Sequence, residues 1–529
     1  MTRWRIPAAL LVPLAWGAWL PAAGAEGDAL QAQAPHPGKA AYDKWCAGCH
    51  GDTGAGDGEA AAYMLPRPRD FTRGVYQVRS TASGELPTDA DMLRIVEEGM
   101  PGTAMPEWKS RLSAKERSDV VAYIKTFSRF FTGAPPTPLS FGNAPAESES
   151  ALTEGEQVYR KLECFKCHGD AGRGDGQSAA SLKDDWGHPI RAADLTQSWN
   201  FNGGASVEQI HARLRTGLDG TPMPSFSDAV DAKVITEEQL WQVAQYVGSL
   251  SPKTRPEVRE VIRARLITGP LPTGPTDTLW SAIDAAYVPL VGQIIQKPRW
   301  FLPTVDGVWV QAAHDGARLT LRLSWHDPSR SPDPAWDEWL ARIVQTATDA
   351  DGAIPATQGP DRLVVQFPKR VSDETEQPYF LGGNNRRPAY LVRWSSDSER
   401  VEEGVGTGLG RFTALPGDAD FSHAAHFEKG EWQLQLGRAL VPRDTAAAPA
   451  FHPGQAVPIA FFAADGSNGE LEVRGSVSAW YSVYLEVPTP ITVYVQPVLA
   501  GLLTAGLGVF VVFRAQRRGP RADGPNLEG

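Results

Sequence analysis

Cysteine is scarce in this sequence: four in 529 residues, at positions 46, 49, 164 and 167. All four fall inside two short motifs, so none is left for a structural disulfide, and cysteine usage alone cannot place the chain in a compartment. Methionine is also sparse, six in all, with none after Met223. Basic runs are missing outside the extreme C-terminus, and the formal net charge is −11. Both features argue against nucleic acid as a partner. The length suggests three or so domains, each large enough for its own core.

The four cysteines sit in Cys46-Ala47-Gly48-Cys49-His50 and Cys164-Phe165-Lys166-Cys167-His168. In C-x-x-C-H the two thiols are spaced to form thioethers to one haem, and the histidine falls beneath the ring, where it can bind iron. A zinc clip or a redox dithiol would use the same residues but would leave the rest of the repeat without a reason. Both motifs continue His-Gly-Asp-x-Gly-x-Gly-Asp-Gly, and both later reach Gly-Thr-x-Met-Pro, at residues 102–106 and 220–224. His50 and Met105 stand 55 residues apart, as do His168 and Met223, and the whole set is displaced by 118 residues between copies. Each copy thus offers a histidine and a thioether. This half of the chain resembles class I cytochrome c, in which that pair fills both axial positions of a covalent haem c. The resemblance implies two haems, attached through Cys46 and Cys49 and through Cys164 and Cys167. Their irons would be held by His50 with Met105 and by His168 with Met223. Met100 is a rival to Met105, but the second copy has no counterpart of it.

The first unit spans residues 38–131. Tyr42 and Trp45 mark a short helix delivering the haem motif, Met92, Ile95 and Val96 a second, and Ser113-x-x-Glu116 caps a third. Residues 132–150 are rich in Pro, Ala, Ser and Glu and read as a linker. In the second unit, 151–250, caps are expected at Thr153, Ser206 and Thr236. His188 and His211 could bind iron in principle, but the methionine loop already provides a sixth ligand. Residues 251–276 read as another Pro-rich connector.

From 277 to 487 helical periods give way to short apolar or alternating runs, as at Leu319, Leu321 and Leu323, which predicts an all-β sandwich. The segment from His314 to Asp327, with Leu319-x-Leu321-Arg322-Leu323-x-Trp325, resembles the haem b-binding domain of ethylbenzene dehydrogenase. So does Gly430-Glu431-Trp432-x-Leu434-x-Leu436-x-Arg438-x-Leu440. That domain is the γ subunit of type II molybdenum enzymes of the dimethyl-sulfoxide-reductase family. The resemblance implies a haem b between a methionine and a lysine. Here no methionine remains, Leu381 stands about where the ligand is expected, and the only lysines are Lys297, Lys369 and Lys429. A haem b would have to use a lysine or an imidazole, His423 or His426. The alternative is a haem-free docking module.

At the ends, Arg3 and Arg5 precede an apolar run closed by Ala23-Gly24-Ala25, which reads as a signal peptide over residues 1–25. Residues 491–513 are long and apolar enough to span a bilayer. Arg514, Arg517, Arg518 and Arg521 then predict a cytoplasmic tail over 514–529. The fold class expected is therefore multidomain: two all-α cytochrome c domains, an all-β sandwich and one C-terminal transmembrane helix, with the body in the periplasm. The function expected is electron transfer in a respiratory chain rather than catalysis. The partner would be a molybdenum and iron–sulfur oxidoreductase or another cytochrome. Rival readings are a dihaem peroxidase-like enzyme, which must open a coordination site, and a ligand-binding sandwich whose haems report occupancy. Direct quinol oxidation would need another subunit, since the apolar C-terminal segment has no histidine.

Overall fold

The computed structural model describes residues 36–346, 353–371, 377–398, 401–416, 421–488, 491–517 and 519. The expected signal peptide and, apart from Gly519, the tail beyond Arg517 lie outside the described residues. The N-terminal region is helical and has two hydrophobic cores. The first gathers Tyr42, Met92, Val96, Val120, Val121 and Ile124 from helices Lys39–Trp45, Asp89–Glu98 and Ala114–Lys125. The second gathers Tyr159, Ile210, Leu214, Leu240 and Val243 from helices Glu149–Lys161, Val207–Thr216 and Glu237–Ser249. Capping boxes open three of these helices at Ser113, Ser206 and Thr236, as the sequence predicts, and a further one at Thr88 closes onto Asp91. Thr153 is not a cap. That helix begins four residues earlier, with Ser148 accepting from the Ala151 amide, and the Thr153 hydroxyl donates back to the Glu149 carbonyl at 3.0 Å. Ser and Thr inside a first turn make this back-bond as readily as a cap.

Residues 261–485 build a mixed sheet of fourteen strands among the described residues. They are β1 (Val261–Leu266), β2 (Ala286–Pro289), β3 (Val291–Gly292), β4 (Gly307–His314), β5 (Arg318–His326), β6 (Arg362–Pro368), β7 (Ala389–Ser395), β8 (Glu402–Gly408), β9 (Arg411–Ala414), β10 (Ser422–Glu428), β11 (Glu431–Ala439), β12 (Ala456–Ala464), β13 (Ser476–Val477) and β14 (Tyr481–Leu485). The main path runs β10-β11-β5-β4-β1-β14-β12-β6-β7-β8-β9. Six inter-strand steps separate β5 from β7 on this path, which in a flat sheet would be about 29 Å. Yet the Trp325 ring on β5 lies 5.7 Å from Trp394 on β7, and Trp432 on β11 lies 4.8 Å from Trp394. The sheet folds back over itself, and the leucines of β5 face that closed core.

The stretch read as a connector belongs to the sheet. β1 lies within it and pairs in parallel with both β14 and β4, the other ladders being antiparallel. Pro272 and Pro275 offer carbonyls to Gln435 Nε2 (2.8 Å) and Arg322 Nε (2.6 Å), and Trp280 is buried beside them. Arg322 lies on the face of β5 that these residues meet, and Thr320 and Ser324 on that same face are buried where simple alternation would leave them in water. Among the described residues one helix, Thr492–Arg517, is long and apolar enough to cross a membrane.

Candidate haem sites

Both haem motifs are built alike. Each C-x-x-C-H closes a single helical turn that ends on a glycine of positive φ, Gly51 (78°) or Gly169 (81°). A tyrosine hydroxyl, from Tyr42 or Tyr159, donates to that glycine's carbonyl at 2.7 Å. His50 Nδ1 lies 3.0 Å from the Arg69 carbonyl, and His168 Nδ1 lies 2.9 Å from the Ala193 carbonyl. A carbonyl can only accept, so Nδ1 carries the proton in both rings and Nε2 keeps its lone pair for a metal. Burial lowers the pKa of both imidazoles, which favours the neutral, ligating form.

The thiols point the same way. Burial pushes Cys46 and Cys164 up to about 12 and also raises Cys49 and Cys167, the opposite of what a reactive dithiol requires. Nor do Cys46, Cys49 and His50 converge on a common point. Among the described residues the one group of three His, Cys or acidic ligand atoms lying mutually within 4.8 Å is elsewhere, in the sheet region.

The methionine loops are hydrogen-bonded identically. The Thr103 hydroxyl donates to the Met100 carbonyl (2.8 Å) and accepts from the Met105 amide (3.1 Å). Thr221 does the same with Leu218 (2.7 Å) and Met223 (3.2 Å). The Met100 amide reaches back to the Met105 carbonyl, and Leu218 to Met223, both at 3.1 Å. Met100 is therefore the structural equivalent of Leu218, a loop residue. Met105 and Met223 each pack against the core of their own unit. In the second copy a cavity of about 790 Å³ extends between Cys164, His168 and Met223. Its walls include Leu195, Phe201 and Val243, a mostly apolar lining that fits a haem.

The sheet region completes this cavity, with Phe301, Leu302, His326 and Trp336 among its walls. His326 Nδ1 bonds Asp194, whose neighbour Ala193 accepts from His168. Arg173, in the loop after the second motif, pairs with Glu431 at 2.7 Å and donates to the Lys429 carbonyl at 3.0 Å. The two helical units also interlock. Arg79, fully buried, pairs with Asp219 at 2.7 Å and donates to the Thr216 carbonyl at 2.8 Å. Gly102 approaches so closely that an added Cβ would sit 2.3 Å from the Asn200 carbonyl oxygen. Sequence reasoning missed Asp194. Its signal was a second repeat, Asp70-Phe71-Thr72 against Asp194-Leu195-Thr196, in which each carboxylate accepts from the threonine two residues on.

The other candidates lie apart. His423 and His426 are on the edge strand β10 and face opposite ways. His423 is opposite Leu436 on the core side, whereas His426 is opposite Gln433 on the outer side, exposed and near Glu428. The two cannot serve one iron together. Leu381 is buried, and Lys429 is exposed at the β10–β11 turn, paired with Glu428 at 3.2 Å. His211 is buried and stacked on Trp241 at 3.7 Å. Burial and the charge of Arg215 lower its pKa to about 4, and its Nε2 lies 2.8 Å from Glu237, so the ring is engaged in the core. His188 is half-buried, its backbone amide tied to Asp184 at 2.8 Å.

Comparison with known proteins agrees on the helical half. Residues 33–124 and 150–247 each match the family described as cytochrome C oxidase, cbb3-type, subunit III. A Haloferax mediterranei protein described as a respiratory nitrate reductase haem subunit is 26% identical over 277 residues, covering 52% of this chain and 90% of that protein. A chain of the reducing HAO-like protein complex of Kuenenia stuttgartiensis is 43% identical, covering 41% of this chain and 96% of its own, with a TM-score of 0.39. A family 9 carbohydrate-binding module from Caldicellulosiruptor kristjanssonii, solved with cellotriose, aligns at 11% identity over 44% of this chain and 96% of its own, with a TM-score of 0.24. The two matched segments are cytochrome c sequence, and covalent haem c follows from them. Cytochrome c sequence supports a role in electron transfer, and the apolar helix Thr492–Arg517 is compatible with a membrane anchor.

Proposed function

We propose that this chain is a dihaem cytochrome c, anchored by residues 491–513 with its body in the periplasm, that relays electrons for a respiratory oxidoreductase. One observation carries the reading: two copies of the same hydrogen-bonded frame, each bringing a neutral histidine with a free Nε2 and a methionine loop to one apolar unit. Haem supplies the one-electron change when bound. His50 and His168 would hold it through Nε2, and the protonated Nδ1 of each ring fixes that ring's orientation. Met105 and Met223 would supply the second protein ligand to each iron, which suits electron transfer better than substrate binding. Gly102, in the first methionine loop, lines the second unit's cavity together with Met223, which brings the first unit's loop to the second centre.

The partner we favour is a molybdenum-dependent oxidoreductase. The description of the Haloferax relative supports this, as does the likeness of residues 314–327 and 430–440 to the γ subunit. Those two segments are adjacent strands, with Trp325 directly opposite Trp432. We assign the sheet a docking role without haem b, a reading supported by the close packing of Trp325, Trp394 and Trp432 in its core. The test is the near-infrared methionine-to-iron band of the purified protein. Met105→Ala and Met223→Ala should each remove about half of it. A double variant that keeps the whole band overturns the ligand assignment.

A further inference from the structure

Three aspartates, far apart in sequence, meet where the folded sheet closes. Asp327 follows β5, Asp361 precedes β6 and Asp465 follows β12. All three are buried, and one carboxylate oxygen from each lies within 4.8 Å of the others. Much of their hydrogen bonding is already committed. Asp361 accepts from the Ser331 amide (2.8 Å), Trp432 Nε1 (3.1 Å) and the Gly466 amide (3.0 Å). Asp465 Oδ1 accepts from the Ser467 amide (2.8 Å) and hydroxyl (2.7 Å) and from the Ser331 hydroxyl (3.3 Å). Asp327 differs. Its Oδ1 accepts from the Ser329 amide (3.1 Å), but its Oδ2 is buried with no partner at all.

The protein neutralises the cluster only in part. Among the described residues none of the three makes an ion pair. Buried Arg191 hydrogen-bonds to the Pro303 carbonyl (3.1 Å) and the Thr304 hydroxyl (2.9 Å) over the Trp339 ring, and its single charge acts on Asp465, Glu470 and Asp327 from beyond ion-pair distance, one cation against several buried carboxyls. Glu470 adds a fourth buried carboxyl, but its oxygens are saturated by Trp300 Nε1, Asn468 Nδ2 and the amides of Thr304 and Asp465. Leaving an ionised carboxylate buried and uncompensated costs several kcal/mol per group. Such a cluster must therefore hold protons or a cation.

We propose that Asp327, Asp361 and Asp465 bind one calcium ion at the closed end of the sheet, against the wall of the second haem cavity. The donors are all oxygen and carry formal negative charge, which selects a hard divalent cation over zinc or copper. All three carboxylates are buried, away from bulk water. That favours calcium over magnesium, which keeps its own waters in near-ideal octahedral geometry. The orphaned Asp327 oxygen acquires a partner, and the ion ties together three chain segments. One of these, residues 326–328, lines the haem cavity.

The rival is proton sharing, and burial with mutual repulsion does raise all three of Asp327, Asp361 (to about 8) and Glu470 (to about 7) when no cation is present. The two differ in their response to calcium. Haem-loaded full-length protein, stripped with EGTA and dialysed against about 1 mM calcium with excess magnesium, should retain one equivalent of calcium by atomic emission. Its thermal midpoint should rise by roughly 2–4 °C or more over the EGTA sample. Asp327→Asn should abolish both responses. Should that variant fail to fold, the wild-type arms alone decide. No retained calcium and equal midpoints with and without EGTA would sink the proposal in favour of proton sharing.

Discussion

At the scale of single residues, the pair Asp194–His326 joins the backbone around the second haem site to the sheet. Burial on its own would lower the His326 pKa, but the hydrogen bond and charge of Asp194 prevail and hold it above the usual histidine value. Burial works to raise Asp194 as well, and the bond to His326 holds it below the usual carboxylate range. The signs come from linkage. The histidine's contribution is complete below its ordinary pKa and is lost as pH climbs through the raised one. The aspartate's is complete above its ordinary pKa and is lost as pH falls through the lowered one. Between those limits His326→Gln should destabilise the haem-loaded protein by about 1–3 kcal/mol. Thermal melts at about pH 6 and about pH 9 check this, because the gap to wild type should narrow at the higher pH. An equal gap at both values would mean that the pair is not ionised.

At the scale of elements, the methionine loops owe their fit to glycine. Gly102 has a φ of 73° and abuts the Asn200 carbonyl, so Gly102→Ala faces both backbone strain and a clash between the two helical units. It should lower stability by about 1–3 kcal/mol while leaving the haem content unchanged. Melting curves read together with a pyridine haemochrome assay measure both. The repeated Gly-Thr-x-Met-Pro made these loops legible in the sequence, since every hydrogen bond that shapes them lies within the loop or its preceding helix. Caps at Ser113, Ser206 and Thr236 were legible for the same reason. β1 was not, because its six residues pair in parallel with strands that come later in the chain by about fifty and over two hundred residues. The aspartate cluster left no local signal either: its members come from three separate strand ends, and only the closing of the sheet brings them together.

At the scale of the whole molecule, three bodies of different composition act as one. The cysteine motifs announced the helical half, and the alternating runs announced the sheet. That the sheet walls the second haem cavity could not be read, because Arg173, Asp194 and His326 become partners only across the interface. Removing everything after Val487 should release a haem-loaded protein from the membrane fraction. Retention after a salt wash would place the anchor elsewhere. β14 ends at Leu485 and the apolar helix begins at Thr492. Seven peptide steps extend at most about 25 Å. Because β14 is hydrogen-bonded to β1, and β1 comes directly after the second haem unit, that length also bounds how far the electron carrier can stray from the bilayer. Once the helix is inserted, meeting a membrane partner ceases to be a search through three dimensions. It becomes an encounter within a thin layer along the membrane, so even a weak docking surface would be occupied more often than it would be in free solution.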